Sequence, residues 1–308
     1  MSFAFVFPGQ GSQSVGMLAA LSESHASVKE TFDEASNVLG YDLWDLSQNG
    51  PESQLGQTEF TQPALLTAGV AVWRVWEEQG GTKPTVMAGH SLGEYTALTC
   101  AGALAFTDAV TLVQDRGRYM QNAVPAGEGG MAAIIGLDDE AVINVCASIQ
   151  GHGVIQAVNF NAPGQVVVAG TKQAIEASVA AFKEAGAKRA LPLPVSIPAH
   201  SSLMSSAAEK LKERIDGIEF QMPNIPVVHN CNVEVAQSVD EIKANLVMQL
   251  DSPVKWVSSI EKISTDFNVE KVVESGPGKV LGGMVKRIIK GIGVAAIETP
   301  EALSQAIS

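Results

Sequence analysis

The stretch Gly89-His90-Ser91-Leu92-Gly93 constrains this chain more than any other. Residues 85–88 before it read as a short apolar strand, and residues 92–101 after it read as an apolar helix. A Gly-x-Ser-x-Gly set between a strand and a helix is the context of a nucleophile elbow. Glycine on either side permits a sharp, strained turn that lifts the serine hydroxyl to the edge of a sheet. The helix starting behind Ser91 also points amide hydrogens and the positive end of its dipole at the reacting centre. The plainer alternative is a serine that caps an ordinary helix.

Strands and helices alternate around this point. Residues 3–7 form a strand candidate, 28–39 a helix ending at Gly40, and 63–79 a helix ending at Gly80-Gly81. Such alternation predicts a mostly parallel sheet covered on both faces. After the glycine-rich break 125–130 the pattern changes. Strands are expected at 131–136, 154–160, 165–169 and 188–193, with helices at 139–149 and 172–185. That βαββαβ order is the split pattern of a ferredoxin-like unit. The fold class expected is therefore α/β: a large α/β-hydrolase-like domain over 1–124 and 197–308, with a small ferredoxin-like subdomain inserted over 125–196. Further strands are expected at 227–230 and 269–274, and a helix at 280–290 after the turn Ser275-Gly-Pro-Gly278.

Composition narrows the function. A net charge of −13 across 308 residues repels nucleic acid and anionic membranes at long range. No apolar stretch reaches the roughly 18 residues a membrane span needs. Met1-Ser2 leads straight into a strand, so a signal peptide is not expected. The three cysteines, Cys100, Cys146 and Cys231, are scattered and odd in number, which implies no disulfide framework. A reducing cytoplasm is the expected location. No histidines or cysteines show metal-ligand spacing, so no metal site is expected. Nothing demands an obligate dimer, and a monomer is expected.

A serine hydroxyl needs a base. His25 and His152 lie in polar segments and read as surface residues, and His90 reads as a support of the turn. His200, in Ser196-Ile-Pro-Ala-His-Ser201, lies where the chain re-enters the large domain and is the best base candidate. His229 is second, with core packing its more natural part. The loop Phe7-Pro-Gly-Gln-Gly-Ser-Gln13 raises a separate question. It lacks the Lys-Ser/Thr of a P-loop, and Ser14 stands where a dinucleotide fingerprint needs its third glycine, so phosphate cradling is a poor reading. Arg116 shares a helical face with Met120. Its neighbour Asp115 points elsewhere on a helix, which disfavours that ion pair.

The combination of residues 7–13, Gly-His-Ser-Leu-Gly-Glu at 89–94, Arg116 and the His200 loop resembles the malonyl-CoA:acyl-carrier-protein transacylases, along essentially the whole chain. The likeness is to the stand-alone members of bacterial type II fatty-acid synthesis. It implies that Ser91 carries the malonyl group as an ester while His200 moves the proton. The imidazole would be held by a main-chain carbonyl or side-chain amide, at Gln249, rather than by an aspartate. A thiolate leaves more easily than an amine, so less base strength is needed. The backbone amides of Gln10 and Leu92 would form the oxyanion hole, and Arg116 would grip the malonyl carboxylate with a two-pronged hydrogen bond. Asn159 and Asn161 could face the pantetheine arm or act only as turn asparagines.

The partners implied are malonyl-CoA and acyl carrier protein, with no cofactor beyond the coenzyme A thioester itself. Both substrates are acidic, which makes Lys188, Arg189, Lys286, Arg287 and Lys290 candidates for a docking surface. Two other readings remain: a serine esterase or thioesterase with the same elbow, and a catalytically silent carrier-protein docking module. The second of these would tolerate loss of Ser91 or His200, and both are present.

Overall fold

The computed structural model describes residues 2–149 and 151–307. Its strands are β1 (Phe3–Phe7), β2 (Val86–Gly89), β3 (Gly129–Ile135), β4 (Ile155–Ala162), β5 (Gln165–Thr171), β6 (Arg189–Pro192), β7 (Val227–Val228), β8 (Lys271–Glu274) and β9 (Gly293–Ala296). They form two sheets. One is parallel throughout, in the order β7-β2-β1-β8-β9, and the other is antiparallel, in the order β4-β5-β3-β6.

β1 explains why the first sheet is buried on both faces. Phe5 and Phe7 point into one hydrophobic cluster while Ala4 and Val6 point into another, and all four are fully buried. Phe5 packs edge-on against Trp73 and Trp76, at 5.3 and 5.0 Å between ring centroids. Both tryptophans lie on the helix Thr58–Glu78, most of whose residues are buried. A helix that is apolar nearly all round belongs in the middle of a layer rather than on its surface. It begins earlier than the proline suggested: Pro63 lies inside it, in the second turn, and forfeits one ladder bond there.

The small sheet has the strand order that a split βαββαβ pattern produces, with the helices Asp139–Ser148 and Lys172–Glu184 packed on it. Its outer strand is stitched to the rest of the chain. Phe160 N–H donates to the Val254 carbonyl (3.0 Å) and Val254 N–H to the Val158 carbonyl (2.8 Å). Arg287 adds bonds to Gln165 Oε1 and the Pro163 carbonyl, both on the β4–β5 turn. Arg287, a candidate for the docking surface, is exposed and at the same time ties the two sheets together.

Sequence patterning missed several elements. The helices Ser205–Asp216, Val239–Met248, Trp256–Asp266 and Pro300–Ile307 and the edge strand β9 were unanticipated. The expected strand at 227–230 shrinks to Val227–Val228. His229 and Asn230 leave the ladder because their side chains and amides turn toward Glu94 and the elbow.

Register brings the functional loops together. Phe7 pairs with Gly89 and Val6 with Glu274, so the C-terminal ends of β1, β2 and β8 lie side by side. The open end of a parallel sheet is where ligands bind. The elbow itself needs both its glycines: a Cβ on Gly89 would run into the carbonyl of Gly93, and one on Gly93 into the carbonyl of Phe7. We expect Gly93→Ala to lower the unfolding free energy by about 3 kcal/mol or to prevent soluble expression, because the obstacle is backbone that cannot step aside. Urea unfolding that matched the parent chain would show that the elbow can relax.

Candidate active site

Ser91 occupies the top of the elbow with φ 52° and ψ −107°, a conformation costly for a residue with a Cβ. Asn230 holds it there. Its Oδ1 accepts from Ser91 N–H at 2.7 Å, and its Nδ2 donates to the Gly89 carbonyl at 2.7 Å. His90 also lines the cleft, but its Nε2 is engaged by Asn161 Oδ1 at 2.7 Å rather than by the serine, so it supports the turn. Burial depresses the His90 pKa.

Ser91 Oγ donates to His200 Nε2 at 2.7 Å, and His200 Nδ1 lies 2.7 Å from the main-chain carbonyl of Gln249. A carbonyl only accepts, so Nδ1 carries the proton and Nε2 presents its lone pair to the serine. His200 sits at φ 63° and is almost fully buried. Desolvation, and then the charge of Arg116, push its pKa down from 6.5 to about 3. The imidazole is therefore neutral and able to take a proton across the physiological range.

Arg116 is 1% exposed. One terminal nitrogen donates to Gln62 Oε1 (2.8 Å); the other donates to Gln249 Oε1 (2.9 Å) and to Ser91 Oγ (3.1 Å). Its Nε is buried with no partner, and its guanidinium lies 5.2 Å from the centre of the Tyr95 ring. Its partners are neutral oxygens; Asp115 instead pairs with Arg214 at 2.8 Å. Burial lowers the Arg116 pKa. A desolvated cation with a spare donor and no carboxylate in contact is prepared to receive an anion.

A cleft of about 350 Å³ unites Ser91, His200, Arg116, Gln10, Leu92 and Asn159. The amide of Leu92 is at the first helical position, where no intrahelical carbonyl can reach it. Gln10 lies across the cleft, its side chain 3.3 Å from Thr58 Oγ1. Asn159 lines the wall with a buried, unpartnered Oδ1. Asn161 is elsewhere: it is buried, it is engaged with His90, and it is not on the cleft wall. Gln249 also stands behind the wall, where its carbonyl meets His200 and its side-chain amide meets Arg116, Ser91 O and Glu94. His229 is no base for the serine, since its Nδ1 is 2.6 Å from Glu94 Oε1 in the interior. Gln62, Glu94 and Asn230 were missed. Glu94 alone left a trace in the sequence, as a carboxylate in an otherwise apolar helix start.

These features define an acyl-transfer site: a strained serine, a neutral imidazole and amide donors at a helix start. The chain belongs to the acyl transferase family, whose domain model matches residues 4–297, and within it to the malonyl-CoA–acyl carrier protein transacylases. It is 55% identical to the enzyme of that name from Salmonella typhimurium, over 99% of both chains. It is 54% identical to that of Escherichia coli K12, over 99% of this chain and 98% of the other. Among solved structures it is similar to an acyl carrier protein S-malonyltransferase from Vibrio cholerae (TM-score 0.97, 54% identity, 99% of each chain). It is equally close to a malonyl-transacylase solved in complex with a type II PKS acyl-carrier protein (TM-score 0.98, 52% identity, 100% of this chain and 99% of the other).

In long-range ¹H–¹⁵N spectra we expect His200 to keep the neutral Nδ1–H form from about pH 8 to about pH 5, and Arg116→Ala to raise its pKa. In the unfolded chain the imidazole titrates near 6.5, so between that pH and about 3 the unfolded state binds the extra proton. His200 thus lowers stability as pH falls through that window. A folded-state titration near 6.5 would contradict the burial argument.

Proposed function

We propose that this protein transfers a malonyl group from malonyl-CoA, through an ester on Ser91, to the phosphopantetheine thiol of acyl carrier protein, supplying extender units for fatty-acid synthesis. The observation that carries the reading is the buried Arg116, which touches the nucleophile and has no carboxylate in contact. An acyl group ending in a carboxylate supplies that partner. A neutral acyl group leaves the guanidinium short of one, at a cost of several kcal/mol.

Ser91 Oγ attacks the thioester carbonyl carbon as its proton passes to His200 Nε2. Electron density moves onto the carbonyl oxygen, which the amides of Gln10 and Leu92 stabilise. The tetrahedral centre collapses with cleavage of the C–S bond, and the imidazolium returns its proton to the departing sulfur. The carrier-protein thiol then repeats the sequence in reverse. The Gln249 carbonyl keeps the imidazole oriented, and Asn159 faces the pantetheine arm. The division of labour proposed gives residues 1–124 and 197–308 the nucleophile, base and arginine, and residues 125–196 the opposing wall. Exposed Lys286 and Lys290 are proposed to meet the acidic carrier protein.

The test is intact-protein mass after brief incubation with malonyl-CoA, followed by a chase with holo carrier protein. The parent chain should gain one malonyl group, lose it to the carrier protein far faster than to water, and gain none as Ser91→Ala. Discharge to water at the same rate would instead mark a hydrolase. Arg116→Ala should cut malonyl transfer about 10²-fold or more and raise the relative use of acetyl-CoA. Unchanged acyl preference would remove Arg116 from its role. Transfer to carrier protein should also slow as salt rises.

A further inference from the structure

Directly beneath the elbow lies a fully buried carboxylate, Glu94, that plays no part in the steps above. Each of its oxygens is engaged. Oε1 faces His229 Nδ1 at 2.6 Å, while Oε2 accepts from Asn230 N–H at 2.9 Å and from Gln249 Nε2 at 2.8 Å. The Gln249 amide has only one workable orientation. Its Nε2 end meets two acceptors, Glu94 Oε2 and the Ser91 carbonyl (3.0 Å), and its Oε1 end meets a donor, Arg116. Turning the amide over would set N–H against guanidinium N–H and carbonyl against carboxylate.

One side-chain amide thus joins a buried negative charge to a buried positive one. We propose that Glu94 is the counter-charge of Arg116, acting through the side chain of Gln249, and that it sets how strongly the acyl carboxylate is held. The inference rests on the malonyl reading given above. In the empty site Glu94 and Arg116 balance. When a malonyl carboxylate arrives, two negative charges share one guanidinium, so the anion is held firmly enough to be selected and loosely enough to leave. The same link fixes Gln249, whose carbonyl orients His200. The other groups around the pair are the His90 and His200 imidazoles, Tyr95 over the guanidinium, and His229 on the far side of Glu94.

Glu94→Gln isolates the charge from the hydrogen bonds. The new amide oxygen can accept from Asn230 and Gln249, and the new NH₂ can face His229 once its ring proton moves to Nε2. The experiment is calorimetric binding to the Ser91→Ala enzyme, which cannot turn over, with and without Glu94→Gln. Malonyl-CoA should bind about fivefold tighter when the negative charge is gone, and acetyl-CoA, which carries no acyl charge, should be unaffected. If Glu94→Gln does not fold, Glu94→Gln combined with His229→Gln replaces the buried His229 contact by an amide–amide hydrogen bond and removes the same charge, and malonyl-CoA binding should tighten in the same sense. Equal shifts for both thioesters, or none, would make Glu94 only a structural brace and overturn the inference. Should the Ser91→Ala enzyme show no preference for malonyl-CoA over acetyl-CoA at all, the acyl reading itself fails instead, which keeps the two failures distinct.

Discussion

A desolvated guanidinium beside the nucleophile is the constraint around which this site is built. Burying Arg116 is expensive unless its donors are met, and the chain meets most of them with uncharged oxygens from Gln62, Gln249 and Ser91. A carboxylate placed directly on the arginine would have stabilised the empty protein and closed the site to an anionic ligand. The nearest acid, Glu94, is held one amide away. After burial, the same cation is what most depresses His200, so the proposed acyl recognition and the proposed base are tied to a single charge.

The strained serine depends on a different kind of restraint. A left-handed φ at Ser91 persists only if its surroundings leave no alternative. Asn230 clips the turn from below, Gly89 and Gly93 let three backbone segments touch, and the register of β1 against β2 puts Phe7 where Gly93 must pass. The Ser275–Gly278 turn braces the opposite loop. Gly276 lies against Pro8, and Gly278 lies against Ser12 while donating to Glu298 at 2.7 Å. Glu274, at the end of β8, caps the following helix by accepting from Leu281 and Gly282 amides. Burial raises its pKa to about 7. The amides proposed as the oxyanion hole are therefore held from both sides.

The cleft owes its width to the joint between the sheets. Backbone bonds between Val158, Phe160 and Val254 continue β4 onto the large unit beside Asn159, and Arg287 fastens the far corner. A wall attached through main-chain bonds at the site holds its distance from the serine better than one that hangs from linkers alone. That preorganisation suits a site meant to position a flexible pantetheine arm.

Much of this was legible in the sequence because it depends on local spacing. The elbow glycines, the alternation of strands and helices and the βαββαβ order all follow from short-range geometry; Ser91 and His200 stood out as candidates from their immediate neighbours, and Arg116 through the family resemblance. Asn230, Gln62 and Glu94 did not, because an asparagine after a two-residue strand or a glutamine inside an apolar helix carries no mark of what lies across the fold. The partners of Asn161 and Arg287 were equally hidden: each bonds to a residue far away in sequence. The sequence alone determined the strained elbow at Ser91, the fold class and the loops at the sheet's open edge, since steric rules act between near neighbours. Only the tertiary structure decided which oxygens surround Arg116, and that Gln249 meets His200 with its main-chain carbonyl while its side-chain amide turns to Arg116 and Glu94. Those contacts join residues at least 25 positions apart, and burial sets their energies.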